Sequence, residues 1–191
     1  MATVDHRRAI ADRNRVAIVD AVERLLARHD PLSMAAVAAE AGVSRPTLYA
    51  HFKSLAEILE VAVKRSVDDS MATIEAADPE EGPADAALER MVAASWNELG
   101  NYEPLARGAV EFLSREHLER AHAPLLAVTL GLIERGQREG TFRRDLPAPW
   151  LASAYYSLIQ GAEEAVQSQG IKRDQALKML KRTVRDLLAA R

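Results

Sequence analysis

The chain of 191 residues contains no cysteine. That absence excludes thiol nucleophiles, disulfide scaffolds, thiol-based redox sensing and any zinc or iron–sulfur site with Cys ligands. Aromatic residues make up only 5% of the sequence, and the commonest residues are Ala, Leu, Glu and Arg, a balance that favours helices over sheets. No stretch approaches the roughly 20 apolar residues that cross a bilayer. The opening "MATVDHRRAIADRNR" lacks the apolar core of a secretion signal. A cytoplasmic location without a membrane partner is therefore expected. There is no Ser/His/Asp set, no glycine-rich phosphate loop, and no i,i+4 pair among the five histidines. No fixed-period repeat and no low-complexity tract is found.

What remains is 48% hydrophobic with a net charge of -3, enough for a real core. The charge is unevenly placed. Residues 1–53 hold 8 basic against 6 acidic residues, and residues 54–191 hold 17 against 22. The N-terminal quarter is thus the face that favours a polyanion.

Apolar residues from Val16 to Leu26 recur at three- and four-residue steps, which predicts a helix over about Arg13 to Leu26, stopped by "RHDPLS". Ser33 is an N-cap for a short helix through Ala41, which Gly42 ends. Ser44 caps a third helix to about His51, with Pro46 in its first turn. Ser54 opens a long helix with Leu55, Ile58, Leu59, Val61, Ala62, Val67, Met71 and Ile74 facing inward. It fades at "ADPEEGPAD", read as a joint. Helical patterns follow at about 84–100, 104–114, 116–139, 148–169 and 173–190. Pro124 is expected to kink the third of these or delay its start. The expectation is an all-α protein of about nine helices, with residues 1–55 as one domain, 56–78 as a connecting helix and 79–191 as a second helical domain.

The stretch "AEAGVSRPTLYAHFKS" has the spacing of a helix-turn-helix. Ala38 is small where two helices cross, Gly42 makes the turn, and Leu48 anchors the third helix with Val37, Val43 and Phe52 around it. Arg45, Thr47, Tyr49, Ala50, His51 and Lys53 are left on the other side of a helix short enough to enter a major groove. Hydrogen-bonding side chains gather there because that helix must bury Leu48 while offering donors to base edges and phosphates.

The stretch from Val16 to Leu59, above all "GVSRPTLYAHFKSLAEIL", resembles the N-terminal DNA-binding domain of the TetR family of transcriptional repressors. A looser likeness, "LIERGQREGTFRRDLPAPWLA", resembles the link between the last two long helices of that family. The resemblance implies a dimeric helix-turn-helix repressor, without catalytic residues or cofactor, whose partners are double-stranded operator DNA, a second copy of itself and a small-molecule effector. It makes Arg45, Pro46 and Thr47 base readers and Tyr49, His51 and Lys53 phosphate contacts, with Ser33 and Ser44 as caps that also face the DNA backbone. Leu55 and Ala56 stand where the family often has a Lys, which removes one phosphate contact.

In that family the last two helices of each subunit form a four-helix bundle. Here the stripes Leu151, Tyr155, Leu158, Gly161 and Ala162, and Leu180, Val184 and Leu187, are the expected dimer interface, with packing inside the subunit as the alternative. Met71, Met91, Trp96, Tyr102, Phe112, Tyr155 and Tyr156 are candidate pocket residues, with Glu111, His117 or Gln160 as polar anchors. A mostly apolar or aromatic ligand follows from the few charges among them. Two other readings stay open. One is an effector-free dimeric DNA-binding protein. The other is a helical-bundle enzyme or metal carrier using Glu119 and His122, a Glu-x-x-His pair that has no second copy in the chain, so no metal is expected.

Overall fold

Serines start the helices of this chain at four places. Ser33 Oγ accepts the amide of Ala36 at 3.1 Å, Ser44 that of Thr47 at 3.2 Å, Ser54 that of Glu57 at 3.3 Å and Ser114 that of His117 at 3.2 Å. Each hydroxyl satisfies an amide that has no partner inside its own helix. At Ser54 the Glu57 carboxylate closes back on the Lys53 amide at 2.7 Å, a reciprocal cap. Gly42 ends the second helix with φ 68°, in the left-handed region where a side chain is strained.

The computed structural model describes residues 2–190. Among the described residues there are eight α-helices: α1 (Ala2–Ala27), α2 (Met34–Ala41), α3 (Arg45–His51), α4 (Leu55–Glu75), α5 (Ala84–Ala109), α6 (Arg115–Glu139), α7 (Ala148–Gln169) and α8 (Arg173–Leu188). The all-α class is as expected from the sequence. Among the described residues the β pairing is a single antiparallel bridge, Phe142 with Ala189, and no helix is long and apolar enough to cross a membrane.

Two boundaries differ from the sequence reading. α1 begins at Ala2 rather than near Arg13, because nothing before Pro31 breaks the helix. The patterns expected as two helices near 84–100 and 104–114 run on as the one helix α5, with Pro104 inside it, which ends at Ala109, short of the expected 114. Proline there removes a single donor, the one that the Gly100 carbonyl would have met, and a helix of 26 residues continues past it. Pro124 likewise sits inside α6, which starts at Arg115 without delay.

The chain divides into two units, Met1–Ser66 with Tyr102–Ala121, and Val67–Asn101 with His122–Arg191. In the first, α1 packs on α2, and Ile18, Val22, Val37, Leu48, Phe52, Ile58 and Leu59 are buried. Gly108 approaches Leu26 so closely that a Cβ there would lie 2.4 Å from Leu26 Cδ2. Arg65 on α4 bridges Asp20 and Glu23 of α1, each at 2.7 Å.

In the second unit one apolar cluster joins Met91, Trp96, Ile133, Phe142, Leu151, Tyr155, Val184 and Leu188. Phe142 lies on Gly136, where a Cβ would stand 2.0 Å from its ring. The Arg143 amide donates to the Leu188 carbonyl at 2.8 Å, tying the loop before α7 to the end of α8. The acidic stretch after α4, expected as a joint between domains, belongs wholly to this unit. Arg90 donates to the carbonyls of Ala77, Asp78 and Glu81, and Arg135 to those of Pro79, Glu80 and Gly82. Two guanidiniums thus hold the turn along its length.

Candidate nucleic-acid interface and ligand region

The candidate recognition surface is built from a helix with a divided face. Leu48 is fully buried, whereas Tyr49, one residue on, is 54% exposed. Arg45, Pro46, Ala50 and Lys53 are exposed, and Thr47 and His51 are half-buried. The sequence-predicted residues of α3 are thus all exposed or half-buried, around the buried Leu48. Ser44 and Thr47 are joined by a hydroxyl–hydroxyl hydrogen bond of 2.7 Å, so the cap also fixes the Thr47 side chain. Ser33 is exposed at the start of α2 and caps it.

Electrostatics separates the basic residues of this unit into two groups. Arg24 and Arg28 are bound by Glu40, each at 2.7 Å, and Arg65 by Asp20 and Glu23. Hydrogen bonds from Arg28 and then Arg24 lower the Glu40 carboxyl from 4.5 to about 2. Arg45 and Lys53 form no ion pair with any described residue. Their charge stays available to an external anion.

One residue of this surface was not singled out from the sequence. The Arg15 guanidinium of α1 lies 4.6 Å from the centroid of the Phe52 ring, which places an exposed cation beside the end of α3. Cation–π contacts of this kind fix a guanidinium without neutralising it. No local spacing signals it, since the pair is separated by two helices.

The candidate pocket residues fall into both units. Met71, Met91, Trp96, Tyr155, Tyr156 and the exposed Gln160 belong to the second, and Tyr102, Phe112, Glu111 and His117 to the first. Trp96 and Tyr155 are almost fully buried. Tyr155 donates to Ser95 Oγ at 3.3 Å, and its phenol is pushed well above the usual range by burial. Tyr156 is raised by burial too, and meets His122 edge to face at 6.4 Å. His117 stands 3.7 Å from Glu60. Glu119 pairs with Arg115 at 2.6 Å. A separate cleft of about 550 Å³, lined by Asp85, Leu88, Glu89, Phe142, Lys181 and Arg185 among others, contains none of the residues expected from sequence.

The expected dimer stripe is divided by the structure. Leu151, Tyr155, Leu180 and Val184 are buried in the subunit's own core, where they cannot meet a partner, while Leu158, Ala162 and Leu187 are partly buried against it. Gly161 is exposed, and a Cβ added there would have nothing within 4 Å. Periodicity marks an apolar stripe, and half of this one closes on its own subunit.

Comparison with known proteins adds four findings. Residues 18–62 match the model of the bacterial regulatory proteins of the tetR family. The chain is 34% identical over 168 residues to the HTH-type transcriptional repressor LfrR of Mycolicibacterium smegmatis, covering 86% of this chain and 84% of that protein. Among solved structures it is similar to the TetR-like regulator LfrR from Mycobacterium smegmatis in complex with proflavine, at 26% identity and a TM-score of 0.66, over 91% of this chain and 94% of that one. It also shares the fold of a TetR family transcription regulator from Marinobacter aquaeolei VT8, at 18% identity and a TM-score of 0.76, covering 96% and 100% of the two chains.

Proposed function

From the premise that this chain belongs to the tetR family of bacterial regulatory proteins, we propose that it is a dimeric repressor which reads its operator through α3 and leaves it when a flat, mostly apolar ligand binds. As a member of the family it is a DNA-binding transcriptional regulator and not an enzyme. The observation that carries the DNA reading is the outward side of α3. Over a buried Leu48, Arg45 on α3 and Lys53 just beyond it form no ion pair among the described residues, while the neighbouring Arg24, Arg28 and Arg65 are neutralised. Arg45, Pro46 and Thr47 contact base edges in this reading, and Tyr49, His51, Lys53 and Arg15 contact phosphates.

Two copies present their α3 helices about 34–36 Å apart, one turn of B-DNA, or a multiple of that, and bind a pseudo-palindrome. The dimer surface in this reading is the outward side of α7 and α8. Leu158, Gly161, Ala162 and Leu187 line it together with Trp150 and Met179, which are 65% and 49% exposed. Large exposed apolar side chains on one helix pair support a partner surface. For the effector, the proflavine held by the LfrR structure is a flat aromatic cation and sets the first class to assay.

The test is reciprocal. Proflavine affinity is measured with and without a saturating operator duplex, and operator affinity with and without proflavine. A coupling of roughly 5- to 150-fold, equal in both directions, is expected. Proflavine affinities that agree with and without operator would remove the ligand-released reading and favour a regulator that acts without an effector.

A further inference from the structure

The Glu163 carboxylate on α7 is 3% exposed, and a buried charge is tolerated only where a partner compensates it. That partner is Arg173, the first residue of α8, whose Nη1 lies 2.6 Å from Glu163 Oε2. The other carboxylate oxygen accepts Gln167 Nε2 at 3.2 Å. The same guanidinium donates through Nη2 to the Trp96 carbonyl. Its central carbon stands 4.5 Å from the Trp96 ring centroid, over the indole face. One turn along α5, a Cβ at Gly100 would lie 2.7 Å from that carbon, so only a bare backbone leaves room for the group. A carboxylate, an indole face, a carbonyl and a glycine thus make a complete seat for a flat cation. A flat cation of the chain itself sits in it.

The occupant is removable, because the Arg173 side chain is 38% exposed while that of Glu163 is 4% exposed. We propose that Trp96, Gly100 and Glu163 form a binding seat for planar cations, that Arg173 fills it in the ligand-free chain, and that a planar aromatic cation enters by displacing this guanidinium. The proposal rests on the reading of this region as effector-binding, and adds to it the ligand's charge and the residue it competes with. A neutral flat molecule cannot take the place of Arg173, since it would leave Glu163 buried without a counter-charge. The indole face selects in the same direction, most strongly where water is excluded. The apparent affinity for a ligand is its intrinsic affinity scaled by the fraction of time that Arg173 is out.

The test titrates proflavine into the full chain and follows quenching of the ligand's own fluorescence. Quenching and calorimetry are read together. Arg173→Ala should tighten proflavine about tenfold, the gain expected if the guanidinium fills the seat about nine-tenths of the time. Arg173→Lys keeps the charge but loses the plane, and should fall between. Glu163→Gln should weaken proflavine about tenfold or more, and should leave unmoved any binding of acridine at pH 8, the same ring frame without charge. Should Arg173→Ala fail to fold by circular dichroism, Arg173→Lys and Glu163→Gln carry the test. Methylguanidinium gives a check that does not involve proflavine. It should raise the Tm of Arg173→Ala and leave that of the parent unchanged.

Equal proflavine affinity in the parent, Arg173→Lys and Glu163→Gln overturns the seat. So does failure of Arg173→Ala to bind either probe when folded. Proflavine that shows the expected dependence yet leaves operator affinity unchanged removes the effector reading while the seat stands. Proflavine that releases operator without regard to Glu163 and Arg173 does the reverse.

Discussion

Glu40 Oε2 lies 2.7 Å from Arg28 Nη2, and its other oxygen takes Arg24 at the same distance. The pairing joins α2 to α1 and removes two arginines from the charge available to DNA. It also has a pH signature. The hydrogen bonds from Arg28 and Arg24 hold the folded carboxyl at about 2, below its ordinary 4.5. A group whose folded value is depressed contributes fully above the unfolded value and loses that contribution as pH falls toward the folded one. The Tm advantage of the native chain over Glu40→Gln should be largest near neutrality, shrink between about pH 4.5 and 2, and weaken with added salt because the pair is partly exposed. Thermal melts across that range check it.

Leu48 and Tyr49 are adjacent but do opposite work. Leu48→Ala should destabilise the fold by about 2–5 kcal/mol, the range for emptying a buried leucine site. Tyr49→Ala should change stability by no more than about 0.5 kcal/mol while weakening DNA binding. Urea melts beside fluorescence anisotropy on an operator duplex separate the two effects.

In the proposed reading Arg45 reads a base and Lys53 holds a phosphate. Arg45→Ala should lose discrimination between operator and random DNA, by roughly 1–3 kcal/mol per half-site if the guanidinium reads a guanine in bidentate fashion. Lys53→Ala should weaken all sequences alike and reduce the salt slope by about one per site. Equal losses on operator and random duplexes for Arg45→Ala would move it from the base readers to the phosphate contacts.

Two glycines give contrasting tests of packing. A Cβ on Gly136 would stand 2.0 Å from the Phe142 ring, so Gly136→Ala should cost about 1–3 kcal/mol of stability through overpacking. Nothing lies within 4 Å of the corresponding position on Gly161. Gly161→Leu should therefore leave the subunit's own packing intact and shift sedimentation toward monomer. A Gly161→Leu protein that sediments as the native chain does would place the dimer surface elsewhere.

Much of the N-terminal helix-turn-helix was legible in the sequence because its determinants are local. Ser33, Ser44 and Ser54 each meet an amide three residues on, and Gly42 takes the left-handed turn that its lack of a side chain permits. The alternation of Leu48 and Tyr49 across α3 is set by helical geometry alone. The fusion of two patterns into α5 was not legible, since a proline signals a break that a long packed helix overrides.

Sequence by itself therefore determined where helices start and turn, and which side of α3 is polar, since these depend on residues three or four positions apart. Tertiary structure alone decided which stripe of α7 and α8 the subunit keeps for itself, leaving Leu151 and Val184 inside and Trp150 and Met179 out. It also decided which arginines are neutralised, through partners 16 and 45 residues away, and it set Arg173 on Trp96 across 77 residues. The physical reason is that periodicity names an apolar or charged face, whereas what covers that face is fixed only when distant helices pack.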